Sequence, residues 1–354
     1  MAARRNTGSV TLKDIAQATG FSANTVSRAL ADKPDISEET KKVIREKASE
    51  MGYIANALAS FLRSGVSRNI AIIVGDISNP HFSVMVKEMQ TLLQRKGYNS
   101  IIFNTDEKAA MERQAITTSL SQNVDGIILC PAPGGEENIR FLQMHDKPFV
   151  MIGRHFSGQD ASYVVCDDVN GGYAATRYLL ERGHRNILFL NGPGGISSSA
   201  ERLKGYRKAL EEAGIAWRSE LVHTVPLTSG KGTEKMREIF SARKDYTAVL
   251  VFSDILAWQA VCILEELGRQ VPQQCSVVGF DNIKYPYPMH LTSVSSSKTT
   301  MAKRSVDILL KKLEGKKGAQ EECVVLTTEV VEGGTVECIQ PELSRYRGHR
   351  DVRE

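Results

Sequence analysis

Asn24, Thr25, Ser27 and Arg28 gather short polar and basic side chains into five residues. Their amide, hydroxyl and guanidinium groups can hydrogen-bond base-pair edges in the major groove of DNA. That chemistry needs a rigid element to present them together. Within VTLKDIAQATGFSANTVSRAL (residues 10–30), Ala16, Gly20 and Val26 fall four and six apart. Two closely crossing helices require a small residue at the crossing, a glycine that can take φ > 0 in the turn, and a β-branched residue beneath the second helix. An ordinary helical hairpin meets the same spacing. Thr11 is predicted to cap a first helix over Leu12–Thr19, with Asp14 in its first turn. Ser22 is predicted to cap a second over Ala23–Ala31, whose N-terminal end would face the bases as a recognition helix does. Ser37 caps a third over Glu38–Met51, where Val43, Ile44, Ala48 and Met51 predict an apolar stripe facing the first two.

The chain has 354 residues and 42% hydrophobic content, enough for two or three cores. Its net charge of +4 lies entirely in one segment. Residues 1–68 hold 11 Lys/Arg against 7 Asp/Glu, and residues 69–354 hold 34 of each. Cations confined to the segment proposed to meet DNA would release counterions from phosphate. The six cysteines (Cys130, Cys166, Cys262, Cys275, Cys323, Cys338) form no C-x-x-C, and runs such as Ala-Val-Cys262-Ile predict buried free thiols in a reducing cytosol. No apolar run reaches the roughly 18 residues of a membrane span and no signal-peptide core precedes the helices, so a soluble cytoplasmic protein without a membrane partner is expected.

Past Gly52 the pattern changes. Ala55–Arg63 could form two helical turns with Leu58 and Leu62 on one face, too short to be stable alone, and Ser64–Ser67 reads as a joint. A plain interdomain linker fits as well as a helix that folds on a partner. From Asn69 onward, apolar runs at Ile70–Val74, Ser100–Phe103, Gly126–Leu129, Phe149–Ile152, Tyr163–Cys166, Ile187–Leu190, Ala248–Phe252, Ser276–Gly279 and Val324–Leu326 alternate with amphipathic stretches. Runs without polar alternation, separated by helices, indicate parallel strands covered on both faces. Similar blocks recur on either side of about residue 166, which predicts two doubly wound parallel-sheet subdomains with a ligand cleft at the carboxyl ends of the strands. The predicted fold is therefore an all-α helix-turn-helix head (1–52), a hinge and linker (53–68), a two-lobed α/β body (69–340) resembling periplasmic binding proteins, and a polar tail (341–354) without a leucine heptad.

In this order the chain resembles the lactose/galactose-repressor (LacI/GalR) family of bacterial transcription regulators. The resemblance spans about Val10 to Thr335. It includes ISEETKKVIREKASEMGYIANALASFLRSG, DISNPHF, VDGIIL, LLERGHRNILFLNGP, ERLKGYRKAL, SVVGFDN and LTSVSSS beside the helical pair. It implies a homodimeric repressor that reads double-stranded operator DNA under control of a small-molecule effector, a carbohydrate or sugar derivative. Ala23, Asn24 and Arg28 match the positions that reach bases, Asn24 to adenine and Arg28 to guanine, with Thr11, Ser22, Thr25 and Ser27 about them. Leu62 matches a minor-groove wedge in a hinge helix, with Ala59 and Asn56 beside it. The effector pocket would draw on Asp76, Asn79, His81, Phe82, Arg154, Ser198, Arg202, Asp254 and Asp281. Arg202 is the foremost of these, its planar fork suiting vicinal hydroxyls or a carboxylate. Arg202 could instead pair a carboxylate of the body, Phe82 pack in the core and Asp281 cap a turn. Arg154 with Arg202 leaves an acidic ligand open. Two positions depart from the family pattern: Gln259, after Trp258, stands where glycine is common, and Gly333 where arginine is usual.

No cofactor or metal is expected, and no catalysis. Gly192-Pro193-Gly194-Gly195 after a strand matches neither dinucleotide nor P-loop spacing, the seven histidines lack metal-ligand spacing, and Ser197–Ser199 has no nucleophile elbow. A periplasmic sugar carrier would share the body but lack the helical head.

Overall fold

Thr11 and Asp14 close a capping box that starts helix α1 (Leu12–Thr19): the Asp14 carboxylate accepts from the Thr11 N–H at 2.8 Å. Gly20 ends α1 in the left-handed region at φ 75°, as the turn requires. Ser22 caps α2 (Ala23–Leu30) by accepting from the Thr25 N–H at 3.0 Å. Helix α3 (Glu38–Glu50) follows from a Ser37 cap. Ile15, Val26, Ala29, Ile44 and Ala48 form the small core where the three helices meet. Val43 is a correction to the predicted stripe. It is 45% exposed, because one turn of α3 cannot aim both Val43 and Ile44 at the same neighbours. Lys41 instead buries its stem and carries its ammonium to Glu38 and Asp32.

The computed structural model describes residues 10–54, 61, 64–156, 158, 160–227, 230–284, 290–315 and 321–339. Asn56, Ala59 and Leu62, most of the predicted Ala55–Arg63 helix, and the tail after Ile339 lie outside the described residues. The chain divides into two compact units between Ser67 and Arg68.

The second unit holds two six-stranded sheets. The first is all parallel in the order β11-β5-β4-β3-β1-β2: Cys323–Leu326, Tyr163–Cys166, Phe149–Ile152, Gly126–Leu129, Asn69–Val74 and Asn99–Asn104. The second runs β12-β10-β9-β8-β6-β7: Glu329–Val331, Thr292–Ser295, Ser276–Phe280, Ala248–Val251, Ile187–Asn191 and Val222–Thr224. This sheet is parallel as expected except at one edge. Strand β12 pairs antiparallel with β10, because the chain reaches this edge from the other sheet and runs back along it. The division near residue 166 is also only the first crossing between lobes. The helix Lys298–Leu313 packs on β3, β4 and β5, so the first lobe takes both this helix and β11 from the C-terminal part of the chain.

Central strands buried on both faces explain the unbroken apolar runs: every residue of β3, β4, β6, β8 and β9 is buried. One apolar cluster continues from Ile70, Ile72 and Ile128 to Phe189, Leu250 and Val278. Cys130, Cys166 and Cys275 are buried free thiols. Cys262, Cys323 and Cys338 are exposed, contrary to the expectation from sequence, because Cys262 falls on the outer face of its helix and Cys323 starts an edge strand. Among the described residues no helix is long and apolar enough to cross a membrane.

Candidate DNA-reading helix and ligand cavity

On α2 the side chains with base-reading chemistry point outward. Ser22, Ala23, Asn24 and Arg28 are exposed, Thr25 and Ser27 are half-buried, and Thr11 is exposed at the start of α1. The Arg28 fork is already engaged: Nε donates to Asp35 at 2.8 Å and Nη2 at 2.7 Å, and this pairing holds the guanidinium above its ordinary pKa. Both partners are about half exposed, so the pair is screened and readily exchanged.

In the second unit a cavity of about 160 Å³ lies at the carboxyl ends of the strands. It is comparable to the roughly 150 Å³ cavity that holds one benzene ring. Its walls come from both sheets: Asp76 follows β1, Glu107 follows β2, Cys130 follows β3 and Arg154 follows β4, while Ser198, Leu227, Ser253 and Asp281 follow β6, β7, β8 and β9. Parallel strands end on the same side of each sheet, which is why eight loops converge.

Local sequence sets each wall residue. The Asp76 Oδ1 accepts from the N–H and hydroxyl of Ser78, at 2.9 and 2.7 Å, closing a small turn. Asn79 then caps the helix Pro80–Arg95 by accepting from the His81 N–H, with Pro80 at its first position. That start places His81 and Phe82 against the cavity. Phe82 serves two ends, as cavity wall and as part of the apolar core. The His81 Nδ1 lies 3.3 Å from the Asp281 carboxylate, a charge-pair distance without hydrogen-bond alignment. Burial lowers the His81 pKa, so the ring is neutral at neutral pH despite that neighbour.

Arg202 projects from the helix Ser197–Glu212. Its Nε donates to Asp168 at 2.7 Å and its Nη1 to the Phe252 carbonyl. The guanidinium also lies over the rings of Phe280 and Phe252, 3.4 and 4.5 Å from their centroids. Both readings of Arg202 therefore hold at once, since it pairs a body carboxylate and lines the cavity. The helix can approach closely because Gly205 and Gly172 sit at its crossing with Asp168–Glu181. A Cβ at Gly205 would overlap the Val169 carbonyl, and one at Gly172 the Arg202 backbone. Arg154 is buried and bidentate to Glu107, at 2.5 and 3.0 Å, and donates to the Pro131 carbonyl at 3.0 Å.

Asp76, Asn79, His81, Phe82, Arg154, Ser198, Arg202 and Asp281 are thus brought together. Asp254 is not. Its carboxyl accepts from the Ile283 N–H and the Ser293 hydroxyl, both at 2.6 Å, as a buried strut under the 281–283 turn. Burial, with Asp281 nearby, pushes its pKa up to about 8. An acid at the first turn of a helix after a strand reads as a ligand group, yet here the following loop uses both oxygens. Glu107, Cys130, Phe252 and Gln259 also line the cavity without having been singled out as ligands. Gln259 was visible as a departure from pattern, and Thr233 now donates to its Oε1 at 3.1 Å. Glu107 stood in the open as an acid just past a strand's carboxyl end.

Tyr206 and His184 are structural: the Tyr206 hydroxyl donates to the Ile187 carbonyl, and the His184 ring bridges Thr247 and the Glu337 carbonyl. No His/Cys/Asp/Glu group able to hold a metal occurs among the described residues.

Residues 11–56 match the profile of bacterial regulatory proteins of the lacI family, and residues 176–336 that of a periplasmic binding protein-like domain. The transcriptional regulator GalR of Escherichia coli (strain K12) is 30% identical over 303 residues, covering 85% of this chain and 88% of that one. The structure of a regulator CelR–cellobiose complex superposes with a TM-score of 0.69 at 26% identity, covering 92% of this chain and 99% of the other. The lac repressor dimer bound to operator and an anti-inducer superposes at 0.81 and 23% identity, over 93% of this chain and all of that one, a likeness of fold. The helical unit, the two-sheet body and this identity along most of both chains are those of one family of transcription regulators: the chain belongs to the bacterial regulatory proteins of the lacI family.

Proposed function

We propose that this regulator is a cytoplasmic, homodimeric repressor. Residues 1–52 read a pseudo-palindromic operator, residues 53–68 act as hinge, and the body at 69–340 binds a small effector that sets operator affinity. The observation that carries this reading is a cavity lined from eight strand ends in a chain that also carries a capped helix with Asn24 and Arg28 exposed. Hydroxyl-binding groups on the cavity walls support a carbohydrate as effector. So does the cellobiose in the CelR structure and the ribose in that of an Enterococcus faecium regulator of the family.

Asp76, Asn79, Ser198, Arg202 and Asp281 would bind ligand hydroxyls, Phe82 would form an apolar wall, and Ala23, Asn24 and Arg28 would meet bases. On docking, Arg28 would exchange Asp35 for guanine O6 and N7. Leu62 would act as the minor-groove wedge. Effector and operator are then linked reciprocally, by typically about 1–3 kcal/mol, so whichever weakens the other is weakened by it in turn.

The test is titration of selected operator duplexes by the full chain, with and without each sugar that raises its melting temperature. A change in operator affinity of about 5- to 150-fold is expected. Unchanged affinity with every stabilising sugar refutes effector control. Arg28→Ala should cut sequence preference about 10- to 100-fold and leave weak, salt-sensitive binding. An intact preference removes Arg28 from the base-reading set.

A further inference from the structure

The Arg154 guanidinium is a ready-made anion site whose fork would fit a carboxylate or phosphate on two parallel bonds. It already holds one. Glu107 fills the fork through both carboxylate oxygens, and the two side chains are only 8% and 9% exposed.

Two further features put that carboxylate there. Asp106 and Glu107 both take left-handed backbone angles, φ 49° and 58°, which non-glycine residues adopt only where the surroundings hold them. Gly75, at the end of β1, leaves the room: a Cβ at this position would overlap the Glu107 carboxylate. Stability alone does not call for such a device, because buried ion pairs are weak stabilisers. The second cavity arginine is likewise matched before any ligand arrives, Arg202 by Asp168. Asp76 and Asp281 add carboxylates to the wall. An incoming anion therefore meets two arginines with built-in counter-anions and two further lining carboxylates. An uncharged polyol meets acceptors for its hydroxyl protons and guanidinium edges for its oxygens.

We propose that Glu107 is a specificity-determining residue, a counter-anion built into the cavity that occupies the Arg154 anion site and makes the cavity take uncharged, hydroxyl-rich ligands while turning away their carboxylated or phosphorylated counterparts. This rests on the ligand-binding reading of the cavity and not on control of the operator. It also closes the acidic-ligand option that the two arginines leave open in the sequence.

Chemical rescue tests it in the full chain without knowledge of the natural effector. Glu107→Ala removes a group the size of acetate. Its melting temperature should fall, and acetate should restore it saturably at constant ionic strength. Acetamide, the neutral isostere, should not restore it. The unsubstituted chain and Glu107→Ala/Arg154→Met should ignore acetate. Equal effects of acetate and acetamide, or an acetate response of the unsubstituted chain matching that of Glu107→Ala, overturn the proposal.

Should Glu107→Ala fail to fold, Glu107→Gln keeps the shape, leaves no space for acetate, and is read by ligand preference instead. Calorimetry with D-galactose against D-galacturonate, and D-ribose against ribose 5-phosphate, should show no anionic member preferred by the unsubstituted chain. In Glu107→Gln the ratio should shift at least tenfold toward the anion. An unsubstituted chain that binds either anion tenfold more tightly than its neutral partner overturns the assignment and leaves a ligand-controlled regulator standing. Ligand binding with no change in operator affinity does the reverse.

Discussion

Arg202→Met removes one charge from the cavity wall while keeping most of the side-chain stem. Asp168, 2% exposed, then loses its counter-charge. Breaking a buried ion pair by removing one partner costs about 3–5 kcal/mol. The stacking on Phe280 and Phe252 is lost with it and is contained within that range rather than added to it. At about 2–4 °C per kcal/mol for a large domain, the body should melt roughly 6–20 °C lower. Adding Asp168→Asn removes the stranded anion, so the double variant should regain most of the loss.

The pH dependence has a definite sign. Burial raises the Asp168 pKa above its ordinary 3.8, with Arg202 opposing it. Between those two values the native state holds a proton that the unfolded chain has lost, so stability falls as pH rises. Without Arg202 the folded pKa climbs further, so the deficit of Arg202→Met should widen as pH rises through and beyond the native titration of Asp168. Calorimetric melting of the four proteins of this double-mutant cycle at several pH values measures it. A deficit below about 1 kcal/mol, a deficit independent of pH, or a double variant no more stable than Arg202→Met refutes the reasoning.

Asp254 supplies a second pH effect. With its pKa raised to about 8, its proton makes the fold lose stability as pH climbs from 3.8 towards that value. Asp254→Asn keeps an acceptor for the Ile283 N–H, offers an amide to Ser293, and should flatten that slope; urea unfolding at pH 6 and pH 8 would show an unchanged slope if the assignment is wrong. Gly205→Ala should destabilise by about 1–3 kcal/mol despite alanine's better helix propensity, because the added methyl meets the Val169 carbonyl. It should also weaken ligand binding, since the displaced helix carries Ser198 and Arg202. A more stable Gly205→Ala variant would mean the crossing has slack.

Elements whose signal lies within a few neighbouring residues were legible in the chain. The capped helices of the head and the apolar central strands follow from period, caps and glycines, and their bounds agree within a residue or two. Three strands of the second sheet were not: the edges Val222–Thr224 and Glu329–Val331 are short and partly exposed, and the inner Thr292–Ser295 is buried but polar in sequence, so none carries a continuous apolar run. The same divide runs through the cavity. The family resemblance pointed to Asp76, Phe82, Arg154, Arg202 and Asp281, and parallel strands that deliver their ends to one side bring them to one cavity.

By itself, then, the sequence determined a helical head, a two-lobed α/β body and the stretch of chain from which ligand groups would come. Tertiary structure alone decided the pairings. Glu107 reaches Arg154 across 47 residues, Asp168 reaches Arg202 across 34, and Asp254 is spent on Ser293 across 39. Whether a charge faces a ligand or a partner depends on which distant loops fold beside it, and no local pattern of residues encodes that.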